Sequence, residues 1–203
     1  MNWIKYLVLM ALPAGILIPT SGKGINSTPP LNQTTLPFIA NQGQIDNAQV
    51  MFHTRTFSGA AFVTRDGSVV YSIKPGYGAS SGKMLILRET LVDAQSTIPV
   101  GAEPTEAKIN FLLGRQSTWR EDVPSFRAVE MPRVYRGIDL RLRAAERNME
   151  KIFTVAPGAD PALIRLRMEG ADTLAVNESG ELEADTELGL VRFTRPVAWQ
   201  ELA

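Results

Sequence analysis

"GIDLRLRAAERNMEKIFTVAPGADPALIRLRME" (Gly137–Glu169) decides how this chain folds. In its first part Ile138, Leu140 and Leu142 alternate with Asp139, Arg141 and Arg143. Later, Ile164, Leu166 and Met168 alternate with Arg165, Arg167 and Glu169. A period of two puts one set of side chains on a buried face and the other in water, as one-sided burial of a β-sheet requires. The breaks fall at turn-forming residues, Pro157-Gly158 and Asp160-Pro161, and Asp172 follows a second glycine at a strand end. Asp160 and Asp172 are therefore expected to cap free backbone amides. Asp139, mid-strand beside Arg141, is expected to form an ion pair on the polar face.

The pattern extends outward on both sides. "GAAFVTRDGSVVYSI" sets Asp66-Gly67 between two β-rich runs, a hairpin signal of type I′. "TLAVNESGELEAD" repeats it at Ser179-Gly180, and "ELEADTELGLVRFT" adds a longer turn at Gly189. "MLILRETLVDAQ" fits a helix or a strand entering a loop, and "AKINFLLGRQSTW" has room for a short helical turn after Pro104. Many short strands and few helices predict an all-β, antiparallel, two-sheet sandwich-like domain.

The first 22 residues read differently. One early cation, Lys5, precedes an apolar run from Tyr6 to Pro19, and small residues follow at Thr20, Ser21 and Gly22. The run is short for a bilayer span and interrupted by Pro13 and Gly15, so residues 1–22 are expected to be a signal peptide. The alternative is an uncleaved anchor. Residues 23–37 are a polar, proline-bearing lead-in, and residues 38–203 are the β-rich domain. Export to the periplasm, the cell surface or the medium is the expected location, with no membrane span once the leader is gone.

Composition bounds the chemistry. Lysine and arginine number 21, aspartate and glutamate 21, and the formal net charge is zero, which gives no field for nucleic acid. Without cysteine there is no disulfide, thiolate nucleophile or cysteine-held metal. His53, the only histidine, has no second histidine at ligand spacing and no GxSxG nearby, so it is expected in a strand rather than a triad. Asn41, Asp46 and Asn47 offer oxygens to calcium, but not the dense pattern of a calcium loop. Asn41, Gln42 and Gly43 are expected to make a turn. No metal and no cofactor is expected. Sequons stand at Asn26, Asn32 and Asn177, and no function is read from them.

Residues Leu36–Glu201 resemble the uncharacterised N-terminal domain of bacterial exported proteins that carry SBBP (β-propeller-type) repeats. The resemblance lies in the order of "LPFIANQGQ", "VMFHTR", "KINFLLG", "STWREDVPSF", "VYRGIDL", "FTVAPGADP", "IRLRMEGAD" and "RPVAWQ". Two positions depart from it: Ile39 stands where glutamate is usual, and Lys151 where an aromatic is usual. The resemblance implies a β-rich domain at the front of a surface protein, downstream repeat domains as its partners, and no catalytic residues to carry over. The last stretch, "LVRFTRPVAWQELA", reads as a strand, a break at Pro196 and the beginning of another strand. The expectation is a domain incomplete at its C-terminal end, with an open edge at Val197 and Trp199.

The function expected is a non-enzymatic structural or interaction module. One alternative is a glycan-binding module that stacks a sugar on Trp119, which lies in the polar context "GRQSTWRED". Against it, the Trp119 ring is more simply a plug over the end of the fold, and Trp199 is assigned to the core. The other alternative is a hydrolase with a carboxylate pair such as Glu103 and Glu106, or Glu181 and Glu183.

Overall fold

The computed structural model describes residues 4–11, 36–56, 59–74, 83–145 and 148–200. Residues 12–22 of the expected leader, most of the lead-in (23–35), the sequons at Asn26 and Asn32, and residues 201–203 lie outside them.

The described residues form strands joined by turns, with two short 3-10 turns at Gln116–Thr118 and Pro161–Leu163. In chain order the strands are β1 (Ile4–Ala11), β2 (Phe38–Ala40), β3 (Val50–Thr56), β4 (Gly59–Thr64) and β5 (Val69–Ile73). Then come β6 (Leu85–Leu91), β7 (Val100–Phe111), β8 (Arg120–Tyr135), β9 (Ile138–Ala145) and β10 (Asn148–Val155). The last are β11 (Leu166–Glu169), β12 (Thr173–Val176), β13 (Leu182–Asp185), β14 (Val191–Phe193) and β15 (Val197–Gln200). Every pairing is antiparallel, in the order β11-β6-β5-β4-β3-β2-β8-β9-β10-β1-β14-β13-β12, with β7 beside β8 and β15 beside β1. The all-β antiparallel expectation holds. Its two facing layers are arms of one ladder.

The curl of that ladder can be measured from a single contact. Seven steps separate β6 from β10 along the ladder, roughly 34 Å in a flat sheet. Yet the Lys151 Nζ of β10 lies 2.6 Å from the Glu89 carboxylate of β6. The sheet therefore rolls until β6 and β10 face each other, and one core fills the roll. That core draws Phe52, Val63, Tyr71 and Leu87 from one arm, and Ile138, Leu140, Leu142, Phe153 and Phe193 from the other. Each fully buried large side chain contributes about 1.5–3 kcal/mol relative to exposure.

In β9, Ile138, Leu140 and Leu142 are buried as the alternation required. In β11 the same pattern sits on a sheet edge, where Leu166 stays exposed and Met168 only packs against the core from its margin. "MLIL" resolves as strand β6. The hairpins fall at Asp66-Gly67 and Ser179-Gly180, but with a different turn. Only the glycines, Gly67 at φ +80° and Gly180 at φ +79°, are left-handed. Thr64 bonds Ser68 across the first loop and Asn177 bonds Glu181 across the second. These are three-residue loops ending in a left-handed glycine, not the two-residue type I′ turn.

Candidate functional site

Two groups of charges stand on opposite faces of the curled sheet. The inner group is Tyr71, Glu89 and Lys151, which are 1%, 4% and 2% exposed. Each sits in phase with apolar neighbours: Met149, Lys151 and Phe153 on β10, and Leu85, Leu87 and Glu89 on β6. Lys151 Nζ donates to both Glu89 oxygens at 2.7 and 2.6 Å, and Tyr71 Oη donates to Glu89 at 2.7 Å. The ammonium also lies 5.3 Å from the centre of the Phe193 ring and 5.8 Å from that of Tyr71. Burial first, and then the Glu89 charge, raises the Tyr71 phenol well above its ordinary range, so it stays a donor. Lys151 and Glu89, two charges on the buried face, thus meet each other across the roll.

The outer group lines a groove of about 580 Å3 that runs across β8, β9 and β10 to β15. Arg141 is its centre. The guanidinium donates to Glu130 at 2.6 Å and to Glu103. Asp139 accepts the backbone N–H of Arg133 at 2.6 Å, so the expected Asp139–Arg141 pair is replaced by two glutamates from β7 and β8. Glu103 and Arg133 are themselves left-handed, at φ +54° each, a conformation that costs non-glycine residues about 1 kcal/mol or more. Trp199, Arg143, Ile152 and Thr154 complete the wall. Trp199 is expected in the core from its alternation with Val197. It is half-buried instead, because the inner face of this region is already filled by Phe153 and Phe193.

The other candidates are scattered. Trp119 is half-buried in a loop pinned by Arg120, whose Nε donates to Gln42 at 2.7 Å and whose Nη1 donates to the Trp119 carbonyl at 2.8 Å. Its indole Nε1 is buried with no hydrogen-bond partner among the described residues. Of the carboxylate pairs, Glu103 lies in the groove while Glu106 is exposed outside its lining. Glu181 and Glu183 do converge, but on Asn177, whose Nδ2 donates to them at 3.0 and 3.2 Å. Arg192 also donates to Glu183 at 2.9 Å, and these bonds lower the Glu183 pKa. Asp160 Oδ1 accepts Ala162 N–H at 2.9 Å, as a cap should, and Asp172 uses its backbone N–H on Asp185.

Asn41 organises its loop through its side-chain amide. Its Nδ2 donates to the carbonyls of Ile45, Asn47 and Val50, and its Oδ1 accepts from Gly43 and Ile45. The two Nδ2 hydrogens are shared among three carbonyls, and both Oδ1 lone pairs are taken by backbone N–H groups, which leaves that oxygen none for a cation. Among the described residues no group of three or more His, Asp or Glu side chains is placed to hold a metal ion. His53 is half-buried on β3, against Phe62 at 6.5 Å and Phe111 at 5.9 Å. Burial, and then Arg55, lowers its pKa and favours the neutral ring.

A curled antiparallel ladder with a filled interior and a charged groove outside defines an all-β module. The chain belongs to the family described as Domain of unknown function (DUF7948), whose model matches residues 38–203. No curated protein and no solved structure matches it.

Proposed function

We propose that this chain is a non-enzymatic structural or interaction module at the front of an exported bacterial cell-surface protein, ahead of SBBP-type repeats. One observation carries the reading. Each carboxylate lining the outer groove is already engaged, Glu103 and Glu130 by Arg141 and Asp139 by the Arg133 amide. Charges paired in this way suit a surface that meets a partner; a hydrolase needs one carboxyl free to donate a proton and a second to receive or attack. The same holds for Glu181 and Glu183 on Asn177. The leader pattern of residues 1–22 supports export.

The test is cell fractionation with added protease. The protein should be cut on intact cells, or recovered from periplasm or medium with a new N-terminus near Lys23. Full-length protein held in the cytosol defeats the reading.

Glycan binding is the second reading, favoured by one feature: an indole beside charged side chains in a groove. Trp199 fits that role better than Trp119, since Trp199 lines the groove. Affinity electrophoresis in gels cast with bacterial and plant polysaccharides checks it. Retardation lost in Trp199→Ala and kept in Trp119→Ala supports the groove, whereas the reverse pattern returns the site to Trp119.

A further inference from the structure

β12 (Thr173–Val176) forms one end of the ladder, and among the described residues it pairs with β13 alone. All of its side chains are exposed. Two other edges are built differently. β7, which pairs only with β8 among the described residues, carries Pro104, a left-handed Glu103 and two shifts of register. β11, at the opposite end of the ladder, carries Arg167 and Glu169. Charges, proline and irregular backbone are the means by which natural edges avoid pairing with other chains. Thr-Leu-Ala-Val has no charge, no proline and no left-handed residue.

This edge also leaves core-side apolar groups in water. Leu174 stands opposite Ala184 and Val176 opposite Leu182, and side chains directly opposite share a face. Ala184 is buried and Leu182 packs against the core, so Leu174 and Val176 belong to the interior face. Yet they are 48% and 71% exposed. The free backbone groups fall on the same two residues. Asn177 N–H donates to Glu181 across the hairpin, and amide direction alternates along a strand. Thr173 and Ala175 therefore face β13, while Leu174 and Val176 turn their N–H and C=O groups outward.

We propose that β12 is a self-association edge, which pairs antiparallel with β12 of a second copy of this chain about a two-fold axis at Ala175. A two-fold contact needs a surface that matches itself, and one register here uses the whole strand. Leu174 lies opposite Val176 of the second copy, each donating to the other's carbonyl, and Ala175 lies opposite Ala175. The leucines and valines then extend the interior face, and the small alanines meet on the outer face. A slip of one residue would set interior side chains against exterior ones. Beyond the strand, Asp172 approaches Glu178 of the second copy, a like-charge contact that salt screens. So short a strand gives a contact at the small end of interfaces, and the dimer forms as concentration rises. The pairing depends on neither reading of the outer groove.

The chain has no cysteine, so one introduced thiol reports on one position. At the axis the two Ala175 residues form a non-hydrogen-bonded pair with Cα atoms about 4.5 Å apart, within disulfide reach. Ala175→Cys in the purified full chain should therefore give a disulfide-linked dimer with a mild oxidant on non-reducing gels. Thr173→Cys is the control: it shares the exposed outer face but stands about 13 Å from its mate along the strand, and should stay monomeric. Sedimentation equilibrium of the cysteine-free chain should show monomer and dimer exchanging with concentration and nothing larger, since a two-fold contact closes. Ala175→Lys sets two ammonium groups face to face across the axis, while each lies opposite Glu183 of its own chain. It should raise the dissociation constant at least about tenfold and leave the melting midpoint of the monomer unchanged or higher. Leu174→Pro removes an outward donor and should weaken the dimer as much, while sparing the bonds to β13. A chain that stays monomeric up to about 1 mM overturns the proposal. So does cross-linking of Thr173→Cys equal to that of Ala175→Cys, or a dimer that Ala175→Lys and Leu174→Pro leave intact.

Discussion

Lys151 on the inner face and Arg141 on the outer face are both cations held by carboxylates, the first from the facing arm of the sheet and the second from adjacent strands, and they belong to different physical regimes. Lys151 and Glu89 have side chains 2% and 4% exposed, whereas Arg141 and its partners Glu103 and Glu130 are 29%, 55% and 46% exposed. Inside the roll, water cannot replace a lost partner, so the pair holds only because both members and the Tyr71 hydroxyl are present. On the outer face water replaces either partner at little cost. Ion pairing therefore specifies which arms meet in the interior, and outside it arranges a surface.

The sharpest way to break that contrast is Lys151→Met. It leaves the Glu89 carboxylate buried without its cation, and should destabilise the chain by about 3–5 kcal/mol in urea unfolding. Adding Glu89→Gln should recover most of the loss, because the two costs share one cause and do not add. Equal losses in the single and double variants would show that the pair does not act as a unit.

Asn41→Ala tests an intermediate case, a half-buried neutral side chain whose nitrogen and oxygen both bond the backbone of its own loop. A loss of about 2 kcal/mol is expected, with calcium making no difference to wild type or variant in calorimetry. A calcium-dependent midpoint in the wild type would overturn the account of Asn41 as the loop's organiser.

Arg141→Ala should cost no more than about 1 kcal/mol, and the difference from wild type should shrink as salt rises. A loss as large as that of Lys151→Met would erase the contrast between the two faces.

The smallest effect concerns pH. Burial lowers the His53 pKa in the folded state, so the unfolded chain binds its proton first as pH falls. Stability from this residue is complete above about 6.5, the ordinary histidine value, and declines as pH drops through it. His53→Gln should flatten that part of the stability curve. A histidine variant with the wild-type slope would assign it to other groups.

Much of the sheet was legible because its signal is local. The alternation of Ile138, Leu140 and Leu142 and the glycines at 67 and 180 each act over a few residues, and each marks its strand or hairpin. The Lys151–Glu89 pair also left a trace. Both are charges standing in phase with buried apolar residues, Met149 and Phe153 in one strand, Leu85 and Leu87 in the other. A charge on a buried face needs a partner, but nothing in either strand names the other across 62 residues of chain.

Trp199 and Asp139 show the opposite limit. The alternation of Val197 and Trp199 marks a strand but not which face is the core, and that was settled by Phe153 and Phe193 filling the interior first. Asp139 sits two residues from Arg141 on the same strand, but the strand register sets Glu130 of β8 directly opposite Arg141, and Glu103 of β7 reaches the same guanidinium. The sequence by itself determined the antiparallel strands, the turns between them and the chemistry the chain lacks, because periodicity, glycine conformation and composition act locally. Only the tertiary structure decided which charges meet, which tryptophan lines a groove and which residues lie between β10 and β14. Those depend on how far the ladder rolls, a property of all its strands together.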